Sequence, residues 1–402
     1  MSLDTEVLVV GAGPGGSAAA TLLARAGIDV TLVDRAAFPR DKACSEYLSP
    51  EALRILHRLG ALDDLERLGA PLRGTTVHAP RGSRLDGAFA RSGYHPFRPT
   101  GLSVARRMLD ARLAAGAAGA GARLLERHTV EELIYDGGAV AGAVVRNAAG
   151  TRRVIRSRVT IGADGLRSVV ARRLGGQRHG PPRRMAFVAH LAAVPGLTGS
   201  AEMHVAADGY VGVNDIGGGL ANVALVVPAS RARLAAGRAE EFFFQGVDAF
   251  AAVRGRVRPG HLARRVMATG PFAATASRVI ADGALLLGDA ADFFDPFTGE
   301  GIYAALRGAE LAADAVPAAL AEPGTVHAGR LAGYLAARRR AFAGKWAVER
   351  LIGYGMWFPR LFDRAVARLE RRGLADTLIG VTGDFVPARE VLNPWFLARM
   401  VL

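Results

Sequence analysis

The sequence is poor in cysteine, in acidic charge and in long apolar runs, and each shortage closes off a class of protein. A single cysteine, Cys44, among 402 residues leaves no internal disulfide framework and no cysteine-clustered metal site. His57, His78, His179 and His204 read as isolated surface or packing residues. Neither a Ser/His/Asp arrangement nor metal-ligand spacing stands out, so no metal is expected. No apolar run reaches the roughly 18 to 20 residues that span a bilayer. The N-terminus enters an apolar run at once, without a basic stretch or cleavage signal, and the expected location is the cytoplasm. Only 37 acidic residues face 51 basic ones, a formal net charge of +14. Aromatics are 7% of the chain and are not interleaved with the basic residues as in a stacking platform, so no nucleic-acid partner is expected. Attraction to anionic ligands or to a membrane surface accounts better for the charge.

What is abundant is apolar and glycine-rich sequence, with 50% hydrophobic residues and 50 glycines. The length suits about two domains. Glu6–Val10 predicts a strand, Ser17–Ala26 a helix stopped by Gly27, and Val30–Asp34 a second strand, together a βαβ unit. Between the first strand and the helix stands Gly11-Ala12-Gly13-Pro14-Gly15-Gly16. Gly11, Gly13 and Gly16 suit a tight turn, backbone approach to a pyrophosphate and close strand–helix packing. The helix behind them points its N–H groups at the phosphate. Asp34, followed by Arg35, ends the second strand where a ribose diol would be bound. This motif alone leaves FAD and NAD open.

Two further acidic turns follow. Gly162-Ala163-Asp164-Gly165-Leu166-Arg167-Ser168 closes a predicted strand. Much later, Ala284–Leu287 delivers Gly288-Asp289 to the ligand crevice of an open α/β sheet, where an Asp suits ribityl hydroxyls. The loop Asp295–Gly301 adds Pro296 for rigidity, with Gly299 and Gly301 flanking Glu300 for close backbone approach. A helix from Ile302 then offers free N–H groups to the negative charge of a reduced flavin. Glycine turns so far apart point to a long cofactor held at both ends, and FAD is such a cofactor.

The remaining elements set the architecture. Ser49 and Pro50 mark a helix start, and residues 106–121 form an alanine-rich helix. Arg123–Glu126, Val130–Tyr135, Val140–Arg146 and Val154–Ile161 read as strands. From about 183 to 275 the β-like runs Ala186–Ala193, Ala201–Ala206, Tyr210–Asn214 and Ala221–Val227 predict an inserted antiparallel sheet. Helices follow at Ile302–Ala315, Leu331–Ala347 and Leu361–Arg371. The expected fold is α/β. Residues 1–70, 101–180 and 276–325 make a Rossmann-like FAD-binding domain, 71–100 and 181–275 a substrate-binding β-sheet domain, and 326–402 a C-terminal helical cap.

With these motifs the chain resembles the FAD-dependent oxidoreductases of the para-hydroxybenzoate hydroxylase fold, and within them most of all the geranylgeranyl reductase family. The resemblance is carried by Gly11–Gly16, Asp34, Cys44-Ser45-Glu46, Arg106, Gly162–Ser168 and Gly288–Ile302. It implies that Gly11, Gly13 and Gly16 hold the FAD pyrophosphate, Asp34 the adenosine ribose, and Asp289 the ribityl chain. It makes Arg106 an FAD-contacting arginine, Asp164 and Gly165 a motif tied to FAD and NAD(P)H, and Gly299–Ile302 the segment against the isoalloxazine. Pro14, Gly15, Arg35, Gly288, Pro296 and Glu300 complete the cofactor-binding candidates. Lys42–Glu46 is similar to a loop that these reductases place near the flavin, which makes Cys44 a proton donor or a packed thiol. Ser45, Gly212 and Asp292 depart from the family pattern, which has Gly, Trp and Gly there. The missing tryptophans also argue against a flavin halogenase.

The expected activity is reduction of C=C bonds in a small hydrophobic substrate, prenyl-, acyl- or polyketide-like, with NAD(P)H as donor. The alternative is an NAD(P)H-dependent flavin monooxygenase hydroxylating an aromatic or polyketide-like substrate, and a third is a non-catalytic FAD-binding protein at a membrane. Trp346, Tyr354, Met356, Trp357, Phe358 and Phe362 lie among arginines in the C-terminal third. They predict a helical cap, or a greasy, basic-rimmed mouth in peripheral contact with a membrane.

Overall fold

Continuous apolar runs with no polar alternation suit strands buried on both faces, and the first strands behave this way. A computed structural model describes residues 3–91 and 93–401. Val7–Val10 pairs in parallel with both Val30–Val33 and Val159–Gly162. Arg123–Leu125 and Ala284–Leu286 extend this sheet in parallel, and the short antiparallel strand Ile280–Ala281 brings it to six strands. Val7, Val9 and Leu32 face the helices Pro14–Arg25 and Gly301–Leu320. Leu8, Val10 and Val33 face a three-stranded antiparallel sheet of Thr129–Asp136, Ala139–Arg146 and Arg152–Arg156. The two-residue period of a strand does the sorting.

The second sheet has seven strands, in the order Leu262–Thr269, Arg184–Ala192, Leu220–Pro228, Gly209–Asp215, Ala201–Ala206, Gly74–His78 and Arg84–Ala88. Its alternate residues sort in the same way. Phe187, Leu191, Val211 and Leu225 pack with Phe243 and Val247 of the helix Ala239–Asp248. Val188, Val205, Tyr210 and Val226 share a core with the C-terminal helices. These are Ala332–Gly355, Pro359–Arg371, Ala375–Thr382 and Pro394–Val401. They also close the open edge of the sheet: Asp86 N donates to Glu370 Oε2 (2.9 Å) and Ala88 N to Asp376 Oδ1 (2.7 Å). Unpaired edge groups invite strand addition, and here side chains satisfy them.

The structure departs from expectation in three places. The strand predicted over 154–161 is two strands, Arg152–Arg156 and Val159–Gly162, in different sheets. The break falls where Arg158 N turns to Glu6 O (3.0 Å), and apolar content alone does not show it. The inserted sheet is mixed, because Ala201–Ala206 pairs in parallel with Gly74–His78. Those strands are far apart in sequence, so no tight turn imposes an antiparallel partner. The helices Leu62–Leu68, Ala239–Asp248, Ala375–Thr382 and Pro394–Val401 add to those expected. Among the described residues, no helix is long and apolar enough to cross a membrane.

The tightest joint lies between the first strand and the first helix. A Cβ on Gly16 would sit 1.8 Å from Gly11 O. Gly16→Ala is therefore expected to lose about 1–3 kcal/mol of stability, as overpacking generally does, measured as a lower midpoint in urea.

Candidate functional site

Where the two sheets meet, a crevice with about 1170 Å³ of free space runs from the glycine turn to the large sheet. Gly13, Pro14 and Gly15 form one end of it, and Gly165, Gly288 and Asp289 line the middle. Pro296, Gly299, Gly301 and Ile302 form the floor, and Cys44 and Arg106 lie on the wall. The glycines do different jobs. A Cβ on Gly11 or Gly16 would strike the backbone of Ala163 or Gly11, and one on Gly15 would strike Leu287. One on Gly13 would reach nothing closer than the Arg106 and Arg40 guanidinium groups, both at 3.9 Å. Gly13 is thus the open position where an outside group can approach the backbone.

Other candidates sit off this wall. Asp34 is 7% exposed; its Oδ2 accepts from Ala12 N and its Oδ1 from Ala36 N, both at 2.8 Å. It braces the glycine turn, and Arg40 lies 3.6 Å from it. Arg35 is exposed. Asp164 accepts from Ser168 Oγ and Val169 N, both at 2.6 Å, so its carboxylate shapes the turn into the helix Val169–Arg173 while Gly165 faces the crevice. Glu300 points behind the floor loop. Ser49 precedes the helix Pro50–Leu59 as expected, but its hydroxyl donates to Glu300 Oε2 (3.0 Å) instead of capping that helix.

The crevice is electropositive. Arg106 is 4% exposed and grips Asp110 with two bonds of 2.7 and 2.8 Å. Its backbone N donates to Glu46 Oε1 at 3.0 Å. Arg40 reaches Asp110 as well, at 2.9 Å. Lys42 lines the crevice, and burial followed by the Arg106 charge holds its ammonium below the usual lysine range. Burial pushes the Asp289 carboxyl up, against the pull of Lys42 and Arg106. Asp289 has no hydrogen-bond partner among the described residues, although it lines the crevice beside the Gly301 backbone. The helices Pro14–Arg25 and Gly301–Leu320 both start at this crevice with no side-chain cap. Free helix N-termini and three basic groups suit phosphates and a developing anion. An unpartnered carboxylate suits a polyol. The residues present fit FAD.

The floor loop is held from two sides. On the sheet side, Arg184 NH1 and Tyr210 OH donate to Asp295 Oδ2 and Oδ1 at 2.8 and 2.7 Å, and Phe297 N donates to the same Oδ1 at 3.1 Å. On the cap side, Arg338 pairs with Asp292. That pair explains the departure at 292: an acid stands there because a buried arginine from the cap meets it. Lys345 Nζ lies 2.6 Å from Asp384 Oδ2, 3.9 Å from Glu349 Oε1 and 4.0 Å from Glu300 Oε2. Three carboxyl groups thus face one ammonium. Burial raises all three, and it takes Glu349 up to about 7.

A second, largely apolar space adjoins the crevice between the large sheet and the cap. Ser45, Met203, Gly212, Ala224, Pro296 and Gly299 line both spaces. Gly212, where the family pattern has Trp, leaves the passage open; a Cβ there would meet only Met203 Sδ, at 3.4 Å, and Glu202 O, at 4.0 Å. Val77, Leu85, Ile352, Leu369 and Ile379 make the far walls apolar. Ser45 is anchored to the sheet by Asn222 Nδ2, which donates to its carbonyl at 3.1 Å.

Sequence reasoning did not single out Arg40, Arg184, Tyr210 or Arg338 as site residues. Tyr210 figures in the sequence only within the sheet segment around Gly212 and Arg338 only among the cap arginines; the folded chain alone brings Arg184, Tyr210 and Arg338 to the loop and Arg40 to Asp34 and Asp110. Lys42 figures in the sequence reading as part of the Cys44 loop and as an unconvincing match for a halogenase's catalytic lysine. His78 and His204, expected to be isolated, stack with centroids 4.4 Å apart, because the parallel pairing sets them opposite each other.

The profile of the FAD binding domain family matches residues 4–348, and the chain belongs to that family. It is 32% identical over 328 residues to the menaquinone reductase of Mycolicibacterium smegmatis, covering 78% of this chain and 76% of the relative. It is 30% identical over 393 residues to the digeranylgeranylglycerophospholipid reductase of Methanothrix thermoacetophila, covering 93% and 95%. The solved structure of the myxobacterial chondrochloren halogenase superposes with a TM-score of 0.80 at 22% identity, covering 99% of this chain and 95% of that one, a likeness of fold. The protein is an FAD-dependent oxidoreductase with the fold of the para-hydroxybenzoate hydroxylase type.

Two outcomes follow from this geometry. Asp289→Ala should weaken FAD retention about tenfold or more, the scale of a lost hydrogen bond to a charged group, measured as flavin absorbance per protein after gel filtration. Glu349 titrates above its ordinary value of 4.5, so its contribution to stability is full below that value and is lost as pH rises through about 7. Glu349→Gln should therefore flatten the decline of Tm between about pH 5 and 8, read by thermal denaturation.

Proposed function

We propose that the protein reduces C=C bonds in a long apolar substrate, prenyl-, acyl- or polyketide-like, with NAD(P)H as the electron donor. The observation that carries this reading is the apolar chamber that adjoins the crevice, with Gly212 lining both. A chain stored there has its end beside the floor loop Pro296–Gly299. FAD supplies the hydride when bound and reduced.

The chain's own residues supply the rest. Gly13, Arg40, Lys42 and Arg106 would hold the phosphates, Asp289 the ribityl hydroxyls, and the N-terminus of Gly301–Leu320 the electron-rich ring. The apolar walls exclude water. Cys44 lines the crevice, and its Sγ accepts from Glu46 N at 3.4 Å. It can carry a proton to the substrate carbon opposite the reduced position. The Tyr210 hydroxyl is already committed to Asp295.

The test is an anaerobic incubation of the FAD-loaded protein with NADPH and a geranylgeranyl lipid or a prenylated quinone, followed by mass spectrometry. The expected product gains two hydrogens per reduced bond. A product that forms only with oxygen, and carries label from isotopic dioxygen, overturns this reading in favour of hydroxylation. Cys44→Ala should keep its FAD and slow product formation about 100-fold, the scale of a lost general acid. An unchanged rate would leave Cys44 a packed thiol.

A further inference from the structure

We propose that the turn between the helices Ala332–Gly355 and Pro359–Arg371 docks this protein on an anionic membrane surface, with the chamber mouth at the point of contact. The proposal rests on the chamber holding an apolar chain, as argued above. Trp357 is 50% exposed and Phe358 60%, side by side at the tip of the turn. Leu351 and Leu361 flank them at 37% and 42% exposed. Large apolar side chains clustered in water mark an interaction surface. Leu351 and Leu361 also line the chamber. The same side chains thus border both the void and the solvent, which makes this turn the rim of the opening.

The charge around the turn selects the partner. Residues 350–369 hold four arginines and one acid, Asp363. Asp363 is turned inward: its Oδ1 accepts from Arg81 N at 2.9 Å and its Oδ2 from Ser83 Oγ at 2.9 Å. Arg350, Arg360 and Arg364 are exposed, as is Arg81 on the neighbouring turn. Aromatic side chains with a basic rim match the headgroup layer of an anionic leaflet. A second copy docked face to face would set arginines against arginines. No described helix spans a bilayer, so contact is at the surface. A lipid-borne chain would then enter the chamber without crossing water.

The test is flotation of the FAD-loaded protein with phosphatidylcholine vesicles, with and without phosphatidylglycerol. The wild type should float with the anionic vesicles, less with neutral ones, and less as salt rises. Arg360→Ser/Arg364→Ser should lower binding about fivefold for each arginine removed. Trp357→Ser/Phe358→Ser should also reduce flotation, with FAD content and turnover of a detergent-dispersed substrate unchanged. Equal flotation of the wild type and both double variants overturns the proposal. A dimer in sedimentation that Trp357→Ser/Phe358→Ser dissociates would assign the patch to a second copy and also overturn it. Flotation requires no turnover, so it stands or falls apart from the reductase reading.

Discussion

Buried carboxylates need partners, and Asp295 finds them on two strands of the large sheet. Arg184 and Tyr210 bind its two oxygens while it accepts from Phe297 N in its own loop. The position of the crevice floor depends on this knot. It fixes where Pro296, Gly299 and Gly301 lie relative to the sheet, and so how wide the crevice is. It also sets the start of the helix Gly301–Leu320, whose free N–H groups face the crevice. Removing one partner from such a knot leaves charge without compensation, which is why it is costly to break. The large sheet makes a further polar contact nearby, from Asn214 Nδ2 to Ser103 Oγ of the short strand Gly101–Ser103, at 2.6 Å.

Charge is distributed unevenly around the floor loop. In front of it, Arg40, Lys42 and Arg106 meet three acids, Asp34, Asp110 and Asp289. Behind it, Glu300, Glu349 and Asp384 outnumber Lys345. The space behind the loop is therefore the more acidic of the two. Burial raises all three carboxyl groups, which favours their neutral forms where cations are too few. The Arg338–Asp292 pair belongs to the same arrangement, and Phe342 and Trp346 stack near its guanidinium, with Arg338 Cζ 5.4 and 5.1 Å from their ring centroids.

The sequence and the fold agree wherever a local rule decides. The three glycine turns, the first strand–helix–strand unit and the long helices are all set by neighbours a few residues apart. The floor loop was legible for the same reason, since Asp289, Pro296, Gly299 and Gly301 sit in one motif. What was not legible is contact between distant segments. Asp164 looked like a ligand residue because its turn ends a strand, yet the helix that follows takes both of its oxygens. Glu300 looked like part of the floor because its neighbours are, but alternation in a tight loop turns its side chain the other way. The break at Arg158 escaped notice because both halves of that stretch are equally apolar. The parallel joint between Gly74–His78 and Ala201–Ala206 arises from chain crossing, which periodicity does not encode.

The edge strand Arg84–Ala88 is completed by Glu370 and Asp376, so the cap serves this sheet as its last strand would. A lid that swings away as a body would strip that edge and leave it free to recruit any extended peptide. Glu370 and Asp376 thus make separating the cap from this edge costly.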